Sequence, residues 1–492
     1  MKYRLVKNAL SNLTRGGAAA VVALLLPPVL VRHMPAASYA VWVLALQAAA
    51  YVAYLDFGLQ TAVGRYIAFA NEKRDVALRD GIFSAAAAGL TIAGALGFLL
   101  VACIAAAAHR LFPSIPPPLL APLRMTMLLV GASTALALPG SAWSGVFVGI
   151  QRYEIPALAN GTGKLLSAIG LIWAAVTGKS LVLMGLIMAL TNLYTYGLQI
   201  LMQRRMVPEI HFHRSLISRP IVKELSGYCF SLTIWSFSML LVSGFDLILV
   251  GRFQFSAVTP YSVSATLITF LAGVQIAIFG VIMPHAAQLH AQENPEALGG
   301  LLVKSTQIGV LLLLVTGLPL ITFAPLIIKV WIGSQFARTG GSVLTVLVIA
   351  NMIRLTGTPY ASILLGTGQQ RLVIVGPLAE GLSNLVASIL LGINFGAIGV
   401  AWGTLAGAVV GMLANAFYNI QKTKGHIRVS RTKYLGVGIA VPGLSIVPVI
   451  LIAMYMEITR ASNNSLSIGA TACSVGVALF LFLSSTLGRR SV

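Results

Sequence analysis

Residues 80–107 read DGIFSAAAAGLTIAGALGFLLVACIAAA, and after Asp80 the stretch holds no charged side chain. It exceeds the roughly 20 residues that carry a helix across the hydrocarbon of a bilayer. In lipid every backbone polar group needs an internal partner, and a long apolar run meets that need as a helix. Comparable runs recur near residues 8–31, 37–69, 122–149, 156–177, 180–202, 223–250, 257–288, 300–326, 340–365, 371–392, 395–419, 434–456 and 465–486. The 492 residues are 58% hydrophobic and only 9% charged, which excludes a soluble enzyme. The pattern predicts an all-α polytopic membrane protein of about fourteen transmembrane helices.

The net charge of +21 could suggest a nucleic-acid partner, but its distribution argues for topology and no nucleic acid is expected. With the amino terminus in the cytoplasm, alternate connections hold 21 Lys and Arg on the cytoplasmic side and 8 on the other. That bias is the positive-inside pattern and places both termini in the cytoplasm. Lys2, Arg4 and Lys7 before an apolar run imitate a secretory signal. Arg15 interrupts the run, however, so it reads as a retained first helix. Cys103, Cys229 and Cys473 lie far apart inside apolar spans and form neither a metal-ligand set nor a disulfide framework. Gly178-Lys179-Ser180 lacks the phosphate-loop glycine, since Trp173 stands in its place. No nucleotide site and no catalytic group are expected.

The spans divide into an N-lobe (1–202, helices 1–6), a basic cytoplasmic linker (203–222), a C-lobe (223–420, helices 7–12) and a last segment (421–492) with two helices and a cytoplasmic C-terminus. The linker carries Arg204, Arg205, Arg214 and Arg219 and reads as a solvated strand lying on anionic headgroups. The lobes look like parallel repeats. Phe57-Gly58-Leu59 has a counterpart in Phe279-Gly280-Val281, and Gly149-Ile150-Gln151-Arg152 in Gly368-Gln369-Gln370-Arg371. Transporters built from repeats bind cargo between them and alternate access by rocking.

Four cations stand within the spans: Arg15, Arg65, Lys164 and Arg354. Each costs about 2.5–3.5 kcal/mol at mid-membrane unless it meets water or a partner. Only Asp56, Asp246 and Glu380 lie at comparable depth, so the interior has a cationic excess that suits an anionic cargo. The alternatives are structural. Arg15 can snorkel to the headgroups, and Glu380 can neutralise either Lys164 or Arg354 in a buried pair. Asp56 and Arg65 fall on opposite faces of a straight helix. Asp56 suits a coupling site for H+ or Na+, or else caps a bend at Gly58. Asp246 and His285 have weaker claims of the same kind. Gly403, Gly407 and Gly411 form a small-residue stripe that favours close helix packing.

Asp56-Phe57-Gly58-Leu59 with Arg65-Tyr66, Gly149 to Arg152, Asp246 with Gly251-Arg252-Phe253 and Tyr261, Leu364-Leu365-Gly366 through Arg371, and Gly396 to Trp402 together carry a resemblance. The chain resembles the polysaccharide-transporter branch of the multidrug/oligosaccharidyl-lipid/polysaccharide (MOP) exporters, which includes the O-antigen (Wzx-type) flippases. Gln254-Phe255 departs from the Leu-Gly frequent there. The resemblance implies two pseudo-symmetric six-helix lobes, plus two C-terminal helices, around a cationic cavity with alternating access. The implied cargo is an undecaprenyl-pyrophosphate-linked oligosaccharide, an O-antigen or exopolysaccharide repeat unit. It would be turned across a bacterial inner membrane by a monomer, beside membrane lipids and polysaccharide polymerase or chain-length machinery. A lipid II-type peptidoglycan precursor flippase and a MATE-like drug or cation antiporter are the alternatives.

Overall fold

A computed structural model describes residues 22–459 and 464–487, and the regular elements among them are helices. In chain order we label α1 (Val22–His33), α2 (Ala36–Ala53), α3 (Leu59–Glu72), α4 (Val76–Ala106), α5 (Pro117–Gly149), α6 (Glu154–Val176) and α7 (Leu181–Met206). There follow α8 (Arg219–Met239), α9 (Asp246–Phe253), α10 (Val258–Gly280), α11 (Ile282–Ala291), α12 (Pro295–Thr322) and α13 (Ala324–Ile332). The last are α14 (Ala337–Leu355), α15 (Thr358–Thr367), α16 (Val375–Ala414), α17 (Val447–Thr459) and α18 (Asn464–Leu487).

Among the described residues, 11 helical stretches are long and apolar enough to cross a membrane. The longest, Gln370–Lys422, bends at Gly396, whose φ of 62° and ψ of −138° only glycine adopts without strain, and so makes two spans. With the shorter apolar helices Val22–His33 and Leu466–Leu481, described helix occurs at each of the fourteen predicted stretches. The protein is a multi-pass, all-α membrane protein.

Several spans are interrupted where the sequence repeats. Phe57 and Gly58 both adopt left-handed backbone (φ 50° and 75°) and separate α2 from α3. Their counterpart, Phe279-Gly280-Val281, falls at the joint between α10 and α11. Gln151 (φ 59°) and Gly368 (φ 71°) likewise end corresponding helices. The motif pairs thus mark equivalent bends in the two halves.

The chain packs into two compact units. One runs to Leu240 and includes Val250–Thr259; the other comprises Leu241–Leu249 and everything from Pro260 onward. The first therefore includes α8, which the lobe boundary at 222/223 assigns to the C-lobe. In the first unit α3 lies so close to α5 that a Cβ at Gly145 would come within 2.8 Å of the Gln60 carbonyl oxygen. In the second, the two arms of α16 fold back on each other. A Cβ at Gly403, Gly407 or Gly411 would collide with Ser388, Asn384 or Glu380, which explains the glycine stripe.

The linker departs from its expected solvated state. Arg79, buried at the start of α4, donates to the Glu209 carbonyl oxygen at 2.8 Å and pairs with Asp80 at 3.1 Å. Ser84 accepts the His213 amide at 2.8 Å, and Gln203 donates to the carbonyls of Val207 and Ile210. Ile210 is buried. Backbone groups leaving α7 need partners, and this buried arginine and glutamine supply them. The segment is a strap docked on the first unit, with its remaining basic side chains outward.

Candidate functional site

Three of the deep charges sit at breaks in the helices. Asp56 precedes the Phe57–Gly58 break, and Asp246 opens α9 directly after a π-helical turn, Leu240–Gly244. Arg354 lies in the last turn of α14, just before the chain is interrupted and resumes as α15. An acid at a helix start and a base at a helix end are each favoured by the helix dipole. Interrupted helices also leave backbone groups that must meet polar partners, and transporters place their ion and cargo sites there.

In the second unit Arg354 Nε donates to Glu380 Oε1 at 2.6 Å, and Nη1 donates to Asn351 Oδ1 at 3.2 Å. The side chains of Arg354 and Glu380 are only 18% and 12% exposed. Glu380 thus answers to Arg354, the pairing alternative raised by the sequence. Asp246 is buried and accepts hydrogen bonds on Oδ2 from Tyr261 (3.3 Å) and Thr404 (3.1 Å), while standing near enough to Arg354 to feel its charge. Beside it Asn384 donates to the Val242 carbonyl, and Ser388 Oγ donates to Asn384 Oδ1 at 2.9 Å and to the Val400 carbonyl at 3.2 Å. Carboxylate, amide, hydroxyl and carbonyl oxygens from three stretches of chain therefore gather on one buried spot. Two carboxylates stand against one guanidinium, Glu380 in contact with it and Asp246 in its field, so the cluster has a formal acidic excess.

The first unit keeps its charges apart. Asp56 caps the bend: its Oδ1 accepts the Gln60 amide and the Ser141 hydroxyl, each at 3.4 Å, and no ion pair with Arg65 forms. Arg65 is exposed, with its guanidinium carbon 5.1 Å from the Tyr228 ring centre and 5.7 Å from that of Tyr66. The two rings meet edge-on at 6.0 Å, and the Tyr66 hydroxyl is hydrogen-bonded to Glu224. Cation–π contact fixes the arginine while leaving its N–H donors available. Among the described residues no carboxylate pairs with it.

Lys164 is exposed in mid-α6. On this helix the exposed side chains Leu158, Leu165, Ile169 and Trp173 form the stripe suited to hydrocarbon. Lys164 lies roughly 150° around from that stripe, at 100° per residue. Its neighbours one turn away are Asn160, Gly161 and Ser167, small or polar and half-buried. The ammonium therefore rises from a polar face. His285 is exposed on α11. Arg15 lies outside the described residues.

Sequence reasoning passed over Tyr228 and Glu224, which join Arg65 only in the fold. It also passed over Asn384, Ser388 and Thr404. Glu380, Asn384 and Ser388 do repeat at i, i+4, i+8, a polar stripe facing the glycine stripe, and that signal was readable. No group of three or more metal-ligating His, Cys, Asp or Glu occurs among the described residues.

No family model and no curated protein matches the sequence. Solved structures do. The chain is similar to the lipid II flippase MurJ in an inward closed conformation, with a TM-score of 0.72, 10% identity, and coverage of 98% of this chain and 100% of that one. An inward-facing multidrug resistance MATE family transporter of the MOP superfamily gives 0.66 at 15% identity, over 82% of this chain and 95% of its own. A MOP superfamily transporter from Pyrococcus furiosus, described as having a binding pocket of reverse polarity that suggests a different function, gives 0.55 at 14% identity, over 83% and 96%. At such identities the likeness is one of fold, the fold of MOP-superfamily transporters.

Proposed function

We propose that the protein is a flippase, not an enzyme, that turns a polyprenyl-pyrophosphate-linked oligosaccharide across the membrane by alternating access. One observation carries this reading: the lipid II flippase fold is matched along the whole of both chains, whereas the MATE transporter leaves about a sixth of this chain unmatched. The charge placement supports an anionic head. Arg65 leans on aromatic rings and Lys164 stands on a polar helix face, and a pyrophosphate leaving water would exchange its hydration for charge-assisted hydrogen bonds with such cations. The O-antigen or exopolysaccharide repeat unit is the specific cargo suggested by the sequence resemblance, in a bacterial inner membrane with cytoplasmic termini.

The acidic cluster of the second unit suits the coupling ion. Oxygen-only ligands around Asp246 fit a hard cation such as Na+, or the carboxylate takes up H+. The same acidity favours a second reading, a cation antiporter of the same fold.

Reconstitution tests both. Vesicles containing the protein should move a fluorescent undecaprenyl-pyrophosphate-linked oligosaccharide between leaflets, and a Lys164→Ala, Arg65→Ala double variant should do so about a hundredfold more slowly if each cation supplies one charge-assisted bond. Export of fluorescent organic cations without movement of the lipid would replace this reading by the antiporter.

A further inference from the structure

The first unit contains an apolar pocket of about 360 Å³. Phe57 and Leu59 wall it where the second span breaks, Gly89 forms its α4 side, and Leu225, Cys229 and Thr233 line it from one face of α8. Two sequence features open this space. The left-handed turn at Phe57–Gly58 displaces the chain, and Gly89 contributes no side chain. A Cβ at Gly89 would meet only Leu59 Cδ1, at 3.5 Å.

The pocket adjoins the arginine cage. Tyr228, against which Arg65 rests, directly precedes Cys229, and Leu59 lies on the same helix as Arg65, about 9 Å away along its axis. A guanidinium with available donors thus stands one short reach from an apolar slot. That juxtaposition fits an amphiphile whose anionic head is joined directly to a single flexible hydrocarbon chain.

We infer that the pocket receives the first isoprene units of a polyprenyl pyrophosphate while Arg65 holds its phosphate. This rests on the flippase reading and adds to it where the lipid chain runs. The slot would fix the orientation of the carrier, because apolar attraction alone distinguishes little between protein and lipid tails, whereas shape does.

The full-length protein in vesicles would be irradiated with a polyprenyl pyrophosphate carrying a diazirine on its second isoprene unit, and the labelled peptides sequenced. Label is expected on residues 222–233 and around Gly89. Gly89→Leu fills the slot and should reduce that labelling and the rate of lipid movement about tenfold, the size of a typical overpacking penalty. A second measurement does not depend on how that variant folds. With Cys103 and Cys473 replaced by Ser, alkylation of Cys229 should be slowed by the polyprenyl pyrophosphate and not by inorganic pyrophosphate. Label confined to other helices with unchanged Cys229 alkylation, in a protein that still moves the lipid, overturns the pocket assignment and leaves the flippase reading intact. Equal labelling by a diazirine phosphatidylglycerol also overturns it, because the slot would then be a general lipid site. A wild-type protein that neither moves nor binds the lipid overturns both.

Discussion

The two compact units solve the same problem, an ion in lipid, in opposite ways. In the second, Arg354 is closed against Glu380 and sits within reach of Asp246, so charges cancel inside the protein and a small negative excess remains. In the first, Arg65 leans on two tyrosine rings, with no carboxylate salt-bridged to it among the described residues, and Lys164 stands on a polar helix face. Under the proposed function, anion handling belongs to the first unit and cation coupling to the second.

Breaking the neutralised side should have the largest effect. Glu380→Gln removes the one carboxylate in ion-pair contact with Arg354 among the described residues and should cost about 3–5 kcal/mol, read as a lower unfolding temperature in detergent. The double change Arg354→Met, Glu380→Leu should recover most of that loss, since apolar replacement of a buried pair is often neutral. If the double variant is stable but does not transport, the pair has a role beyond packing.

Next comes the available side. Lys164→Ala should slow lipid movement about tenfold, the equivalent of one charge-assisted hydrogen bond, while the unfolding temperature stays unchanged. Lys164→Arg should retain most of the activity. A fall in unfolding temperature with unaltered transport would make Lys164 a packing residue and erase the contrast between the units.

Asp246→Asn probes the coupling claim more finely. Movement of the lipid without a gradient should change only about threefold, as expected for loss of one net hydrogen bond. The acceleration by an imposed Na+ or H+ gradient should disappear. A retained gradient response would assign coupling elsewhere. The smallest effect is expected at the exposed His285: His285→Ala should shift stability by less than about 0.5 kcal/mol and leave transport unchanged.

The fold was legible because the signal is one-dimensional. Apolar run length and the bias of Lys and Arg between loops depend on sequence alone, and each predicted span has a helical counterpart. A bend was legible where the backbone itself demands a residue type, as at Gly58. The glycine stripe at 403, 407 and 411 announced close packing for the same reason.

Tertiary structure decided the partners. The sequence offered Glu380 to both Lys164 and Arg354, and only the approach of α14 to α16 gave it to Arg354. It placed Arg65 in a row of deep cations, whereas the fold brings Tyr228 from α8 to hold it in a way that no spacing within α3 encodes. It read the linker as solvated, but a buried arginine on α4 captures it. Helix formation and membrane insertion follow local apolar patterning, which a single strand of sequence carries in full. Charge pairing depends on side chains distant in sequence coming within a few ångströms, and that is a property of packing.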